Sequence, residues 1–305
     1  MPAYTLKRTF VAFLILIVVS GLTFSLSHLS ADPALTIGGE QASEEDIQAI
    51  RKLYGFDRPI HVQYLDWLGR ALSGDFGESY HYKQRVFDMV SERIGRTMLL
   101  GTLAILFALA VSIPLGTLAA MRPNSIVDRI ALFIAVLGQA LPTFWFALMM
   151  IIVFGVWWRW LPISGHTQWA NYVMPTIALG YYATPALMRL TRAGMIEVLG
   201  SDYIRTARAK GLSPASVLFK HALRNAIIPV VALAAVWFGF MLGGSIVIET
   251  IFNLKGIGWL SYDALLRSDL PVVQAIVLVF ASFYVVLTLL ADLLNAYLDP
   301  RISVR

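Results

Sequence analysis

The chain has 305 residues, no cysteine and a formal charge of +5. Its 58% hydrophobic and 14% charged residues, with a mean hydropathy of +0.69, lie far from the roughly half-apolar, quarter-charged make-up of a soluble domain and mark an integral membrane protein. The missing cysteines exclude disulfides and thiolate metal sites, and a pI near 9.4 in a chain of apolar spans points to membrane orientation, not to nucleic acid.

A spanning helix needs about 20 mostly apolar residues, and six stretches qualify: residues 9–27, 97–119, 130–157, 172–193, 226–250 and 273–296. Six spans put both termini on one side, and Lys and Arg decide which side that is. Thirteen of them, from Lys7 and Arg8 through the 205–224 cluster to Arg301 and Arg305, share the side of the termini. The short loops opposite hold only Arg159, Lys255 and Arg267. Both termini are therefore expected in the cytoplasm. Lys7 and Arg8 before an apolar run would also fit a signal peptide cut near Ser30-Ala31, but the run from Phe10 to Leu26 is long for a signal core and favours a retained helix.

The fold class expected is all-α: a polytopic bundle of six transmembrane helices with an extracytoplasmic helical insertion between the first two. The organisation is read as residues 1–27 (first span), 28–95 (insertion) and 96–305 (five-helix core with a basic loop at 194–225). In the insertion, Ser43 followed by Glu44, Glu45 and Asp46 predicts a capped helix start and Gly55 its stop. Asp57 is expected to cap a second helix with Pro59 in its first turn. On that helix Tyr64, Trp67, Leu68, Ala71 and Leu72 recur at helical spacing, a stripe that needs an apolar partner.

Prolines 114, 142, 175, 185 and 229 fall in spans and predict bends, because each frees a backbone carbonyl. Gly239, Gly243, Gly244 and Ser245 would let another helix approach closely, within the chain or from another subunit. Gln139, Thr143, Tyr181 and Tyr182 are polar groups within spans; they are candidates for lining a translocation path, and helix-to-helix hydrogen bonds explain them equally. Asp292, near the end of the last span, and Glu249, at the outer edge of the fifth, read as structural carboxylates, the latter bonded to Lys255 or to backbone amides. No phosphate-cradling G-x-x-x-x-G-K-[ST], His-Glu-x-x-His or Gly-x-Ser-x-Gly motif occurs, so nothing marks the chain as an enzyme.

The stretch YIRTARAKGLSPASVLFKHALRN, Tyr203 to Asn225, carries Arg205, Arg208, Lys210, Lys220 and Arg224 and no acid. A helix over 201–210 is expected to stop at a left-handed Gly211. Ser213 then caps a second helix with Pro214 at its first position, and at 100° per residue Ala215, Leu218, Phe219, Ala222 and Ala226 share one face. Such an amphipathic hairpin serves either as a headgroup anchor or as a docking element.

This stretch resembles the cytoplasmic coupling loop of ABC importer permeases in the form found in the dipeptide and oligopeptide family. Tyr203, Ile204, Arg205, Thr206, Ala207, Arg208, Ala209, Lys210, Gly211 and Leu212 match in order, then His221, Ala222, Leu223, Arg224, Asn225 and Pro229. LYGFDRPIHVQYLDWL, GDFGESY, GGSIVIETIFNLKGIG and LDPR extend the likeness to the B-type subunit over nearly the whole chain. Two departures stand out. Arg205 replaces the Glu of the general E-A-A motif, so no salt bridge from that Glu is carried over, and Lys255 stands where a proline is common.

The resemblance implies a type I ABC importer permease fold in the bacterial inner membrane, with no cofactor on this chain and ATP and Mg on the partner subunits. The partners it implies are a homologous C-type permease subunit, two cytoplasmic ATPase subunits, an extracytoplasmic substrate-binding protein and membrane lipid, with no nucleic acid. The cargo it implies is dipeptides or oligopeptides, with nickel complexes, glutathione and oligosaccharides moved by relatives; a stand-alone secondary carrier is the rival class.

Overall fold

The computed structural model of the chain describes residues 2–30, 32–39 and 42–298; Ala31, Arg301, Arg305 and the end of the LDPR motif lie outside them. The helices follow in chain order: α1 (Pro2–Ser30), α2 (Pro33–Gly38), α3 (Glu44–Tyr54), α4 (Ile60–Leu72), α5 (Val86–Met121), α6 (Ile126–Ala140) and α7 (Thr143–Met150), which continues as a π-helical turn, Ile151–Trp157. A 3-10 turn, Trp169–Tyr172, leads into α8 (Val173–Leu199), then α9 (Asp202–Ala209), a second π-helical segment, Ser216–Leu223, and the single turn α10 (Arg224–Ala226). The chain ends with α11 (Ile228–Phe252), α12 (Ile257–Leu266) and α13 (Leu270–Leu298). Four of these, α1, α5, α11 and α13, are long and apolar enough by themselves to cross a membrane.

Prolines act unequally. The third span breaks at Leu141 (φ −90°, ψ 127°) and Pro142, whereas α5 and α8 run on through Pro114 and Pro185. Pro175 and Pro229 sit in first turns, where the missing N–H costs nothing.

Helices α5 and α8 form the central pair. Small residues let their backbones meet: a methyl group added at Gly116 would lie 2.7 Å from the Met188 carbonyl oxygen, so side-chain bulk is excluded there. Leu100, Ala104 and Ala108 of α5, Ala178, Ala183 and Leu187 of α8, and Met241 and Ile248 of α11 build the main core. Helix α13 packs on α11, and α1 lies on the outside of α13. Arg8 pairs with Asp292 at 2.9 Å, so Asp292 is a structural carboxylate as expected. That end of the bundle, which also holds the 194–225 loop, is called the basic end below.

At the opposite end, Ser43 and Asp46 form a capping box on α3, and Gly55 (φ +72°) closes it. Asp57 does not cap α4, in contrast to the expectation from sequence. Pro59 is itself extended at the N-cap position with no side-chain cap, and the amide of Gln63 reaches back to the Arg58 carbonyl at 2.7 Å. The α4 stripe packs within the chain: Tyr64, Trp67, Leu68 and Ala71 close on Phe24 of α1, and Ser20 Oγ lies 2.8 Å from Tyr64 Oη. Leu72 departs from that stripe at 80% exposure.

Candidate functional site: the basic loop and the broken third span

Helix α9 buries Ile204 and Ala207, three residues apart on one face, against Met195 of α8, Ala120 of α5 and Val217, Ala222 and Ala226 beyond the turn. Arg205, Thr206, Arg208, Ala209 and Lys210 stay exposed. Arg205 pairs with Asp202 at 3.1 Å, an exposed i, i+3 pair that contributes little. Thr206 Oγ1 bonds back to the Asp202 carbonyl at 3.0 Å, the local contact that tightens the first turn. Gly211 stands at φ +76°, and an added Cβ would meet nothing within 4 Å, so its left-handed backbone, not space, selects glycine. Leu212, 40% exposed, lines a 250 Å³ hollow with Arg208, Pro214 and Val217.

Ser213 caps the returning arm as expected, its Oγ accepting from the Ser216 amide at 3.3 Å. The predicted apolar face survives in part, with Ala222 and Ala226 in the buried cluster that also holds Ile204 and Ala207, and Leu218 packed against it. Residues 216–223 are π-helical, so side chains five apart, not four, come into line. Val217 and Ala222 point inward while Phe219 is 63% exposed and Ala215 is also exposed. His221 is half-buried, and Arg224 and Asn225 are exposed. Asn225 Nδ2 donates to Tyr203 Oη at 2.7 Å, bridging the two arms.

The four polar candidates of the spans fall in two places. Gln139 accepts from Arg189 Nη1 at 3.0 Å, Tyr181 Oη donates to the Ile134 carbonyl at 3.1 Å, and the Tyr181 ring lies 5.1 Å from that of Phe146. These contacts and Thr143, the first residue of α7, surround the break in the third span. Tyr182 faces α11 instead, with ring centroids 5.6 Å from Trp237 and 6.4 Å from Phe240.

The sequence profile of the family described as binding-protein-dependent transport system inner membrane component matches residues 112–304, and that of the family's N-terminal component matches residues 1–101. The chain belongs to this family of ABC importer permeases. The permease is 38% identical over 300 residues to the glutathione transport system permease protein GsiC of Escherichia coli (strain K12) and to that of Salmonella typhi, covering 98% of this chain and of each relative. A chain of the MetNI methionine ABC transporter superposes with a TM-score of 0.50 at 18% identity, over 71% of this chain and 95% of that one, and shows the shared type I fold.

Several polar residues hold the permease together; Glu249 is singled out by the sequence, whereas Thr97, Asp269 and the Asp128–Arg192 pair are not. Glu249, 1% exposed, accepts from Thr97 Oγ1 at 2.7 Å, Ser245 Oγ at 3.0 Å and the Trp259 amide at 2.9 Å, and Thr97 Oγ1 in turn accepts from the Ile257 amide at 2.9 Å. It binds backbone amides, as one of the two expectations had it; Lys255 is not its partner, and instead gives its carbonyl to Arg96 at 2.9 Å. Among the small residues beside it, Gly239 meets Tyr284 of α13 within the chain, while Gly243 faces open space. Asp269, fully buried, accepts from Ser79 Oγ and from the Tyr80 amide at 3.0 Å, holding the GDFGESY loop against the turn before α13. Asp128 binds Arg192 through both carboxylate oxygens. Ser125-x-x-Asp128 after a Pro-Asn turn, and an arginine inside a span, are the sequence signals that point to this last pair.

Proposed function

We propose that the permease is the B-type membrane subunit of an ATP-driven importer of short peptides, glutathione being one such tripeptide. The observation that carries this reading is the basic loop: α9 is pinned inward by Ile204 and Ala207 while Arg205, Arg208 and Lys210 face out. A rigidly packed helix presenting cations suits docking into another protein better than a floating headgroup anchor, because force applied to α9 passes directly to α8 and α5. The chain itself carries no ATP chemistry in this reading. ATP and Mg belong to two cytoplasmic ATPase subunits that dock on residues 203–212 and 221–225, a C-type permease completes the pathway, and an extracytoplasmic binding protein delivers the cargo. Both termini and the basic end lie in the cytoplasm of a bacterial cell, as the distribution of Lys and Arg supports. Gln139, Thr143, Tyr181 and Tyr182 act mainly in helix-to-helix contacts, with Gln139 and Thr143 at the break as the members nearest a pathway.

The expected result is co-purification of the permease with both ATPases and the C-type subunit, and uptake of labelled glutathione and dipeptides that requires all of them. Transport by the purified chain alone in liposomes would establish the carrier class instead. Competition between glutathione, dipeptides, longer peptides, nickel complexes and oligosaccharides in a deletion strain identifies the cargo.

A further inference from the structure

Helix α6 is clipped to α8 by a charged fork. Arg192 donates Nε to Asp128 Oδ1 at 2.6 Å and Nη2 to Oδ2 at 2.7 Å, a bidentate pairing with one good geometry. Asp128 is 2% exposed, and its Oδ2 also accepts from the Asn124 amide at 2.8 Å. One carboxylate thus holds both the turn before α6 and the helix that leads to the basic loop. Around it Ala131 and Ala135 of α6 pack on Met188 of α8 and Ala119 of α5, and Arg189 adds its bond to Gln139.

Apolar packing alone gives two spans little reason to prefer each other over lipid, and it lets them slide. A buried fork does not slide, since parting it strands a charge. From the loop, contact is continuous: Ile204 and Ala207 of α9 touch the cluster holding Met195 of α8, Arg192 lies one turn earlier, and its partner Asp128 opens α6. The helical backbone of the third span is interrupted at Leu141–Pro142, and beyond it α7 meets α8 through separate contacts such as Phe146 on Tyr181. We propose that Asp128 and Arg192 are positioning residues that make α6 move with the basic loop as one body, the joint with α7 lying at Leu141–Pro142. The inference rests on the reading of that loop as the ATPase-docking element.

Because the chain has no cysteine, paired spin labels at introduced cysteines report its distances without background from native thiols. In the assembled complex in lipid nanodiscs, nucleotide-free or trapped with ATP and vanadate, the pair Arg129→Cys/Glu197→Cys reads α6 against α8. The pair Leu148→Cys/Glu197→Cys reads across the joint. The expected result is an unchanged first distance and a shifted second one. A first distance that shifts as far as the second, or a second that stays fixed while the complex transports, overturns the proposal.

Asp128→Asn should lower transport per ATP hydrolysed while the ATPases remain bound, and should broaden the first distance distribution. The exchange Asp128→Arg/Arg192→Asp should restore both in part, since arginine at 128 re-forms the charge pair but cannot accept from the Asn124 amide. Where Asp128→Asn fails to accumulate, Arg192→Lys keeps the charge but loses the fork, and its transport per ATP should fall in the same sense. Normal coupling in either single variant overturns the proposal. Failure of the ATPases to bind the unmodified permease overturns the reading of the loop instead.

Discussion

Asn225 donates its amide to the Tyr203 phenol oxygen at 2.7 Å across 22 residues, so the outgoing and returning arms of the basic loop are tied at their bases. Between these anchors the arms are joined by the turn at Gly211 and by the apolar contacts of Ile204 and Ala207. The bond makes the loop a closed unit that an ATPase would move as a whole. In Tyr203→Phe the donor amide is exposed and returns to water, so the loss is modest, about 1 kcal/mol. A double-mutant cycle with Asn225→Ala, read as transport per ATP, should show coupling between the two positions; strict additivity would disconnect them.

Gly211 and Ala207 should fail differently. Gly211→Ala meets no steric obstacle and costs only the left-handed backbone, roughly 1–2 kcal/mol, so coupled transport should weaken. Gly211→Asp adds a carboxylate to a cationic surface and should uncouple hydrolysis from uptake at normal abundance. Ala207→Leu instead inserts bulk into a buried contact, costing about 1–3 kcal/mol, and should displace α9 and release the ATPases. Intact coupled transport in Gly211→Asp at normal abundance would remove the loop from the mechanism.

Glu249 holds α12 to α5 and α11 at the cap end. Glu249→Leu removes the acceptor of the Thr97 hydroxyl and the Trp259 amide, at about 1–3 kcal/mol for each buried group left unpaired, while the Ser245 hydroxyl keeps the Leu242 carbonyl at 2.8 Å. The midpoint of thermal unfolding in detergent should fall clearly, and α12 should lose hydrogen-exchange protection first. An unchanged midpoint would mean that water replaces the carboxylate.

The cap should resist acid beyond the ordinary carboxylate range. Burial raises the Asp32 carboxyl, but the Arg51 guanidinium, at 2.5 Å, and the Ala34 amide outweigh it and hold the group below its usual value. A lowered carboxyl contributes stability that is present above the unfolded pKa and is lost as pH falls through the folded one. Hydrogen exchange in α2 and the start of α3 should therefore stay slow through the pH at which free aspartate protonates and rise only below it. Asp32→Asn should abolish that pH dependence in α2, while the start of α3 keeps the part that Asp46 contributes through its capping box.

Much of this permease was legible as a string. The long apolar helices α1, α5, α11 and α13, the helical cap, the Ser43 start and Gly55 stop of α3, and the glycine turn at 211 follow from local chemistry: apolar length, side chains that satisfy nearby amides, and a backbone conformation that side chains disfavour. The π-helical register of 216–223 was not legible, since hydrophobic period assumes the α-helical 3.6, and so Phe219 was placed inward and Val217 overlooked. Asp57 failed as a cap because the proline that seemed to start α4 stands at the N-cap position itself.

Composition and order by themselves determined that the chain lives in a membrane, which end is basic and where helices begin and stop, because those depend on transfer from water and on contacts within a few residues. Only the tertiary structure decided that Asp128 meets Arg192, that Glu249 gathers Thr97, Ser245 and Trp259, and that of five prolines one breaks its span. Buried polar groups must find partners wherever the fold puts them, and partners 64 or 152 residues apart have no signature in local sequence.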